Sequence, residues 1–176
     1  MFRPLRALAA IAIAGLLLTG CAQQPNTAVV INGERYTETE IADAWVDLQP
    51  IVGPGAGPST VVATLIDRDL LVPAAEAFGI SVSEEEINTV IEIEFGGQDP
   101  DEFSPVARGV IGHLLLVNEV NASPLVGEIN SLFIVAAEEA EITVNPVYGE
   151  PGQYGSVEAT TWDWLATPEA DEDLLF

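Results

Sequence analysis

Lysine is absent from this 176-residue chain, and arginine occurs only five times. Arg3 and Arg6 lie at the extreme N-terminus, so beyond residue 20 only Arg35, Arg68 and Arg108 face 28 aspartates and glutamates. Three positive charges against 28 negative ones give that part a net charge of −25, with histidine neutral. Such a surface repels phosphate, which excludes nucleic acid as a partner. It also repels anionic lipid headgroups, so charge does not hold the chain to a membrane. Solubility is the simplest role of the acidic excess. Cysteine and histidine occur once each, as Cys21 and His113. One cysteine excludes an intrachain disulfide and a cysteine metal site. A lone histidine lacks the partner that base catalysis needs, and its place in a helical segment suits a surface or satisfied core residue.

What is present begins with an export signal. Arg3 and Arg6 precede Ala7 to Leu18, an unbroken run of small and apolar residues too short to span a bilayer comfortably. Leu18-Thr19-Gly20-Cys21 follows and resembles the bacterial lipobox. That resemblance implies cleavage before Cys21, a diacylglycerol on its thiol, and a location on the outer face of the cytoplasmic membrane through the lipid anchor. Residues 1–20 are then a lipoprotein signal peptide and 21–27 a lipidated tether. Removing 20 residues from 176 leaves 156, enough for one ordinary domain with flexible ends.

The chain after the tether is organised around Ala28 to Ile41. Ala28-Val29-Val30-Ile31 reads as a strand, Asn32-Gly33 as a type I′ turn whose two residues need positive φ, and Glu34 to Tyr36 as the return strand. Thr37 and Glu40 have the spacing of a capping box at a helix start. A two-stranded hairpin is marginal alone, so a third strand is needed, and Ile142-Thr143-Val144 has the alternation for it. Between them the pattern is helical. Ile41, Ala42, Trp45 and Leu48 form one apolar stripe, ended by Pro50. Ser59 or Thr60 caps a helix of about 20 residues carrying Val62, Leu65, Ile66, Leu70, Ala74, Ala77 and Phe78, with Pro73 expected to kink it. Ser83 with Glu86 forms a second capping box, before Ile87, Val90, Ile91 and Ile93. Ser104-Pro105 starts a helix whose inward face is read as Val106, Val110, Ile111, Leu114, Leu115 and Val117. After a break at Asn121 to Pro124, a last helix turns Val126, Ile129, Leu132, Phe133 and Ala136 inward. The expected fold is mainly α in the α+β class: a helical domain over 28–149 with a small antiparallel sheet, formed by the N-terminal hairpin and a C-terminal strand. An acidic, flexible tail covers 150–176, with Trp162 and Trp164 read as pins to the domain or contacts for a partner.

No constellation of catalytic or metal-binding residues emerges, and no cofactor is expected. No serine lies in a Gly-x-Ser-x-Gly elbow. The acidic clusters at Asp99 to Glu102 and Glu84 to Glu86 lack the calcium-loop pattern. Gly53, Gly55 and Gly57 alternate without the lysine of a phosphate loop.

Several short segments resemble one family. They are Ile31-Asn32-Gly33, Leu65-Ile66-Asp67-Arg68 with Leu70-Leu71, Ala75 to Ile80 with its Gly79-Ile80 end, Val82-Ser83 with Glu85-Glu86, and Val144-Asn145-Pro146 with Tyr148-Gly149. Together they resemble the N-terminal chaperone domain of the SurA and PrsA group of extracytoplasmic folding factors, in the lipoprotein form found in actinobacteria. Pro73 and Val147 depart from the pattern. Members often insert a parvulin prolyl-isomerase domain before the closing strand, and the helices from Val106 to Glu139 leave no room for one here. The resemblance therefore implies a non-enzymatic, lipid-anchored chaperone-like protein that binds exported, unfolded or partly folded polypeptides. The alternative is an envelope adaptor or structural lipoprotein with one specific partner. The client-binding residues are not legible at this stage.

Overall fold

The computed structural model describes residues 25–53 and 55–158 of the chain. Strand β1 (Thr27–Ile31) is central in a three-stranded antiparallel sheet, between β2 (Glu34–Thr37) and β3 (Ile142–Val144). Asn32 and Gly33 both have positive φ, 50° and 86°, as the expected hairpin turn requires. The expected third strand pairs in register Val29 with Val144, Val30 with Thr143 and Ile31 with Ile142. Asn145 locks this closure. Its N–H donates to the Ala28 carbonyl at 2.8 Å, and its side-chain amide donates to the Thr27 carbonyl at 3.1 Å and to Glu38 Oε1 at 2.7 Å.

Five helices fill the chain between β2 and β3: α1 (Glu38–Leu48), α2 (Pro58–Glu76), α3 (Glu84–Glu94), α4 (Pro105–Ala122) and α5 (Val126–Glu139). The chain is thus mainly α with a small sheet. Both capping boxes form, Thr37 with Glu40 on α1 and Ser83 with Glu86 on α3. These hydrogen bonds hold the Glu40 and Glu86 carboxyls below the ordinary glutamate range. Ser104 caps α4, and its own N–H donates to Asp47 Oδ2 at 2.9 Å, tying α4 to α1. Phe95 and Phe103 meet edge to face at 4.8 Å and close the loop between α3 and α4.

Helix α2 is the hub, packed on α1, α4, α5 and β1. Val62, Leu65, Ile66 and Leu70 are almost fully buried there beside Val29, Ile31, Ile41 and Leu48. Each such side chain stabilises the fold by about 1.5–3 kcal/mol relative to exposure. A smaller cluster of Leu71, Ala75, Leu116, Val120 and Ile129 joins α2, α4 and α5.

Four details differ from the sequence pattern. The N-cap of α2 is Gly57, with Pro58 in the first turn. Proline is suited there by its fixed φ and missing N–H, so the helix starts before Ser59. The helix ends at Glu76, so Ala77, read as inward, is exposed beyond its end. On α4 the expected inward residues Val106, Val110 and Ile111 are buried and Leu115 and Val117 pack against the core, but Leu114 is 48% exposed, and His113 and Leu116 are buried instead. Ile93 on α3 and Leu132 on α5 face solvent as well.

The folded part does not end at Gly149. Glu150–Pro151 (β4) and Val157–Glu158 (β5) form a second, two-stranded sheet. Gly155, at the turn between them, has φ 79° and is buried against α2; a Cβ there would come within 2.7 Å of Leu70 Cδ1. The acidic tail beyond Glu158 lies outside the described residues, as do residues 1–24, which hold the expected export signal and most of the expected tether.

Candidate functional site

Two features outside the packed core bear on function: a polar cleft and an exposed apolar helix face. The cleft lies between α2, the approach to α3, and α4, and encloses about 330 Å³. Arg68 reaches it from α2, and Arg108 and His113 from α4. Two of the three arginines beyond residue 20 therefore line one cavity, in a chain with 28 acidic residues.

Glycines on α4 shape this wall. A Cβ at Gly109 would lie 3.3 Å from Cζ and Nε of Arg68, and one at Gly112 would lie 3.0 Å from Cδ1 of Ile87. Their absence lets the Arg68 guanidinium and α3 approach the α4 backbone.

Arg68 Nη1 donates to Asp69 Oδ1 at 3.3 Å and to the Tyr36 hydroxyl oxygen at 3.5 Å. The Tyr36 hydroxyl lies 3.0 Å from Asp69 Oδ2 and 3.1 Å from Glu34 Oε1, with one proton to serve both. Burial and the neighbouring Asp69 push this phenol far above its ordinary range. Burial also raises Asp69. Arg108 donates from Nη1 to the Pro100 carbonyl at 3.0 Å and pairs through Nη2 with Glu84. The Arg108 side chain is 19% exposed and its Glu84 partner 78% exposed.

His113 is 6% exposed, and its Nδ1 is buried with no hydrogen-bond partner. Burial, with Arg68 nearby, lowers its pKa below the ordinary imidazole value, so the ring is neutral at pH 7. The ring also borders a smaller cavity between α2, α4 and α5, together with Asp67, Asn121 and Asn130. The neutral imidazole lines the cleft as a hydrogen-bonding group near the Arg68 guanidinium.

The second feature is α5. Ile129 alone among its residues is fully buried, although the helix is rich in apolar side chains. Leu132 and Val135 are 41% and 48% exposed, and Leu125 just before the helix is exposed too. The helical repeat brings these three to one side. Glu128 interrupts the strip between Leu125 and Leu132, and Glu139 follows it after Val135.

Other residues singled out by sequence have local roles. Ser83, Ser104 and Asp99 cap helical turns, and Ser123 accepts from the Leu125 N–H at 3.1 Å. Among the described residues, no three His, Cys, Asp or Glu side chains gather as a metal site, and no helix is long and apolar enough to cross a membrane. Cys21, Trp162 and Trp164 lie outside the described residues. The cleft escaped sequence reasoning; its one signal is the run Arg108-Gly109-Val110-Ile111-Gly112-His113, where two scarce residue types each adjoin a glycine.

No protein-family model matches the chain, and no curated protein or solved structure matches it.

Proposed function

We infer that the chain is a lipid-anchored, extracytoplasmic, chaperone-like protein that binds exported polypeptides through an apolar surface, without catalysis or a cofactor. The supporting observation is the strip of Leu125, Leu132 and Val135, apolar residues left in solvent by a helix already packed on α2 and α4. Exposed apolar side chains on one helix face suit contact with an extended or partly folded chain. The −25 charge draws neutral or basic clients towards that contact and discourages self-association. The segments resembling the SurA and PrsA group point the same way. Lipidation at Cys21 places this surface at the outer face of the cytoplasmic membrane.

The chain from Ala22 should slow aggregation of several unrelated unfolded proteins at about stoichiometric amounts, read by light scattering. It should leave prolyl isomerisation at its uncatalysed tens to hundreds of seconds. Cys21→Ser should release the protein from membranes or leave an unprocessed precursor. Full processing and membrane association of that variant would remove the anchor from the proposal.

The narrowness of the strip favours a second reading. Three apolar side chains, interrupted by Glu128 and followed by Glu139, suit one complementary partner better than a range of clients. Failure to suppress aggregation, with tight capture of one folded envelope protein, would select this adaptor role.

A further inference from the structure

We propose that the cleft between α2, α3 and α4 is a binding site for a carboxylate borne on a small apolar body. Arg68 and Arg108 would hold the charge, and the walls formed by Val72, Val82 and Leu116 would hold the hydrocarbon. This goes beyond polypeptide binding on α5 and does not depend on it.

Four observations carry the assignment. First, the charge is concentrated: a chain with three arginines beyond residue 20 places two of them around one cavity. Second, the guanidinium of Arg68 rests on the bare backbone at Gly109 and donates through Nη1 alone among the described residues. Nε and Nη2, the edge best suited to a carboxylate, are left without a protein acceptor. Third, Arg108 is largely buried while its ion-pair partner Glu84 is largely exposed. A pair with one solvated member is weak and exchangeable, so an incoming carboxylate can take the place of Glu84. Fourth, His113 lines the same cleft with Nδ1 buried and without a partner. With nothing bonded to Nδ1, the ring proton is best carried on Nε2, which has no protein acceptor among the described residues either.

The class of anion follows from the surroundings. Glu76 and Glu84 at the rim, with the −25 charge behind them, oppose a phosphate dianion more than a single carboxylate. The apolar walls need a hydrocarbon to cover them, and about 330 Å³ lies at the small end of ligand pockets. A short aliphatic acid satisfies both demands. So does the C-terminal carboxylate of a polypeptide with an apolar last residue.

The test uses the full chain in detergent micelles, titrated with sodium hexanoate and followed by the arginine Nε–Hε resonances, five in all. The Arg68 and Arg108 signals should shift and saturate while Arg35 stays in place. Hexanol should not saturate them, and inorganic phosphate should bind more weakly than hexanoate. Arg68→Gln and Arg108→Gln should each weaken hexanoate at least tenfold. Because Arg68 also supports Tyr36 and Asp69, Glu84→Gln supplies a test of opposite sign. Removing the competing rim carboxylate should tighten hexanoate by about two- to fivefold, the worth of an exposed ion pair. Uniform shifts of all five arginines, equal binding of hexanol, tighter binding of phosphate, or weaker binding in Glu84→Gln would each overturn the proposal. A tripeptide ending in leucine, with free or amidated C-terminus, separates the two sources. A free peptide that outbinds hexanoate assigns the chain terminus, hexanoate that outbinds the peptide assigns a small acid, and equal binding of the amidated form overturns the carboxylate requirement.

Discussion

Asn32 and Glu141, 109 residues apart, exchange two hydrogen bonds: the Asn32 N–H donates to the Glu141 carbonyl at 2.9 Å, and the Glu141 N–H donates to Asn32 Oδ1 at 3.0 Å. A turn residue at φ 50° thereby extends the ladder between β1 and β3 by one step. Asparagine meets both demands at once, since it tolerates positive φ and presents a carbonyl two bonds from its backbone.

The two demands can be separated by substitution. Asn32→Ala loses the acceptor and strains the left-handed backbone, and should cost about 2 kcal/mol. Asn32→Gly keeps the backbone at ease and loses only the acceptor, so about 1 kcal/mol is expected. Urea unfolding followed by circular dichroism measures both. Equal losses would mean that the turn conformation contributes nothing.

The glycines of α4 should respond differently from one another. Alanine is favoured over glycine inside a helix by about 1 kcal/mol. At Gly112 the new Cβ meets buried Ile87 at 3.0 Å, where overpacking costs about 1–3 kcal/mol, so Gly112→Ala should be net destabilising. At Gly109 the neighbour is the end of the flexible Arg68 side chain at 3.3 Å, which can swing away. Gly109→Ala should therefore keep or raise stability while displacing the Arg68 Nε–Hε resonance. A Gly112→Ala variant more stable than Gly109→Ala would refute this packing account.

How much of this was legible in the sequence depends on range. The Asn32-Gly33 turn, the two capping boxes and the Ser104-Pro105 start are decided within four residues, and the structure has them where the pattern puts them. The pairing of β1 with β3 followed because Ile142 to Val144 offered the only later alternation. The burial of His113 and Leu116 in place of Leu114 was not legible, because all sit among apolar residues at helical spacing and only the neighbouring helices decide which is covered. Nor was the folded segment to Glu158, where a glycine-rich acidic stretch is held by Gly155 pressing on Leu70. The cleft needed the same long-range information, since Arg68 and Arg108 lie 40 positions apart in the chain.

His113 makes stability depend on pH. Burial first, and Arg68 second, lower its folded pKa below the ordinary value of about 6.5. The unfolded chain therefore takes up a proton that the folded chain refuses. Stability from this group is complete above the unfolded pKa and is lost as pH falls through the folded one. Asp69, raised by burial, acts in the opposite direction at lower pH. Urea midpoints should fall from pH 7 to pH 5.5 in the native sequence and flatten in His113→Gln, which cannot titrate. An unchanged slope in the variant would assign the effect to another group.

The strip on α5 allows binding to be separated from folding. Leu132 and Val135 are exposed, so glutamate at both should change stability by no more than about 0.5 kcal/mol per site. Ile129, one turn away and fully buried, is the contrast: Ile129→Ala should cost about 2–5 kcal/mol. If the strip holds clients, the Leu132→Glu, Val135→Glu double variant should melt like the native chain yet lose most of its suppression of aggregation. Two added negative charges also alter long-range attraction. Val46→Glu with Ile93→Glu, both on exposed residues of other helices, supplies the same charge away from α5. Suppression kept by this second pair and lost by the first would place client contact on α5. Equal loss in both would reduce the effect to charge, and suppression kept by both would move the contact away from Leu132 and Val135.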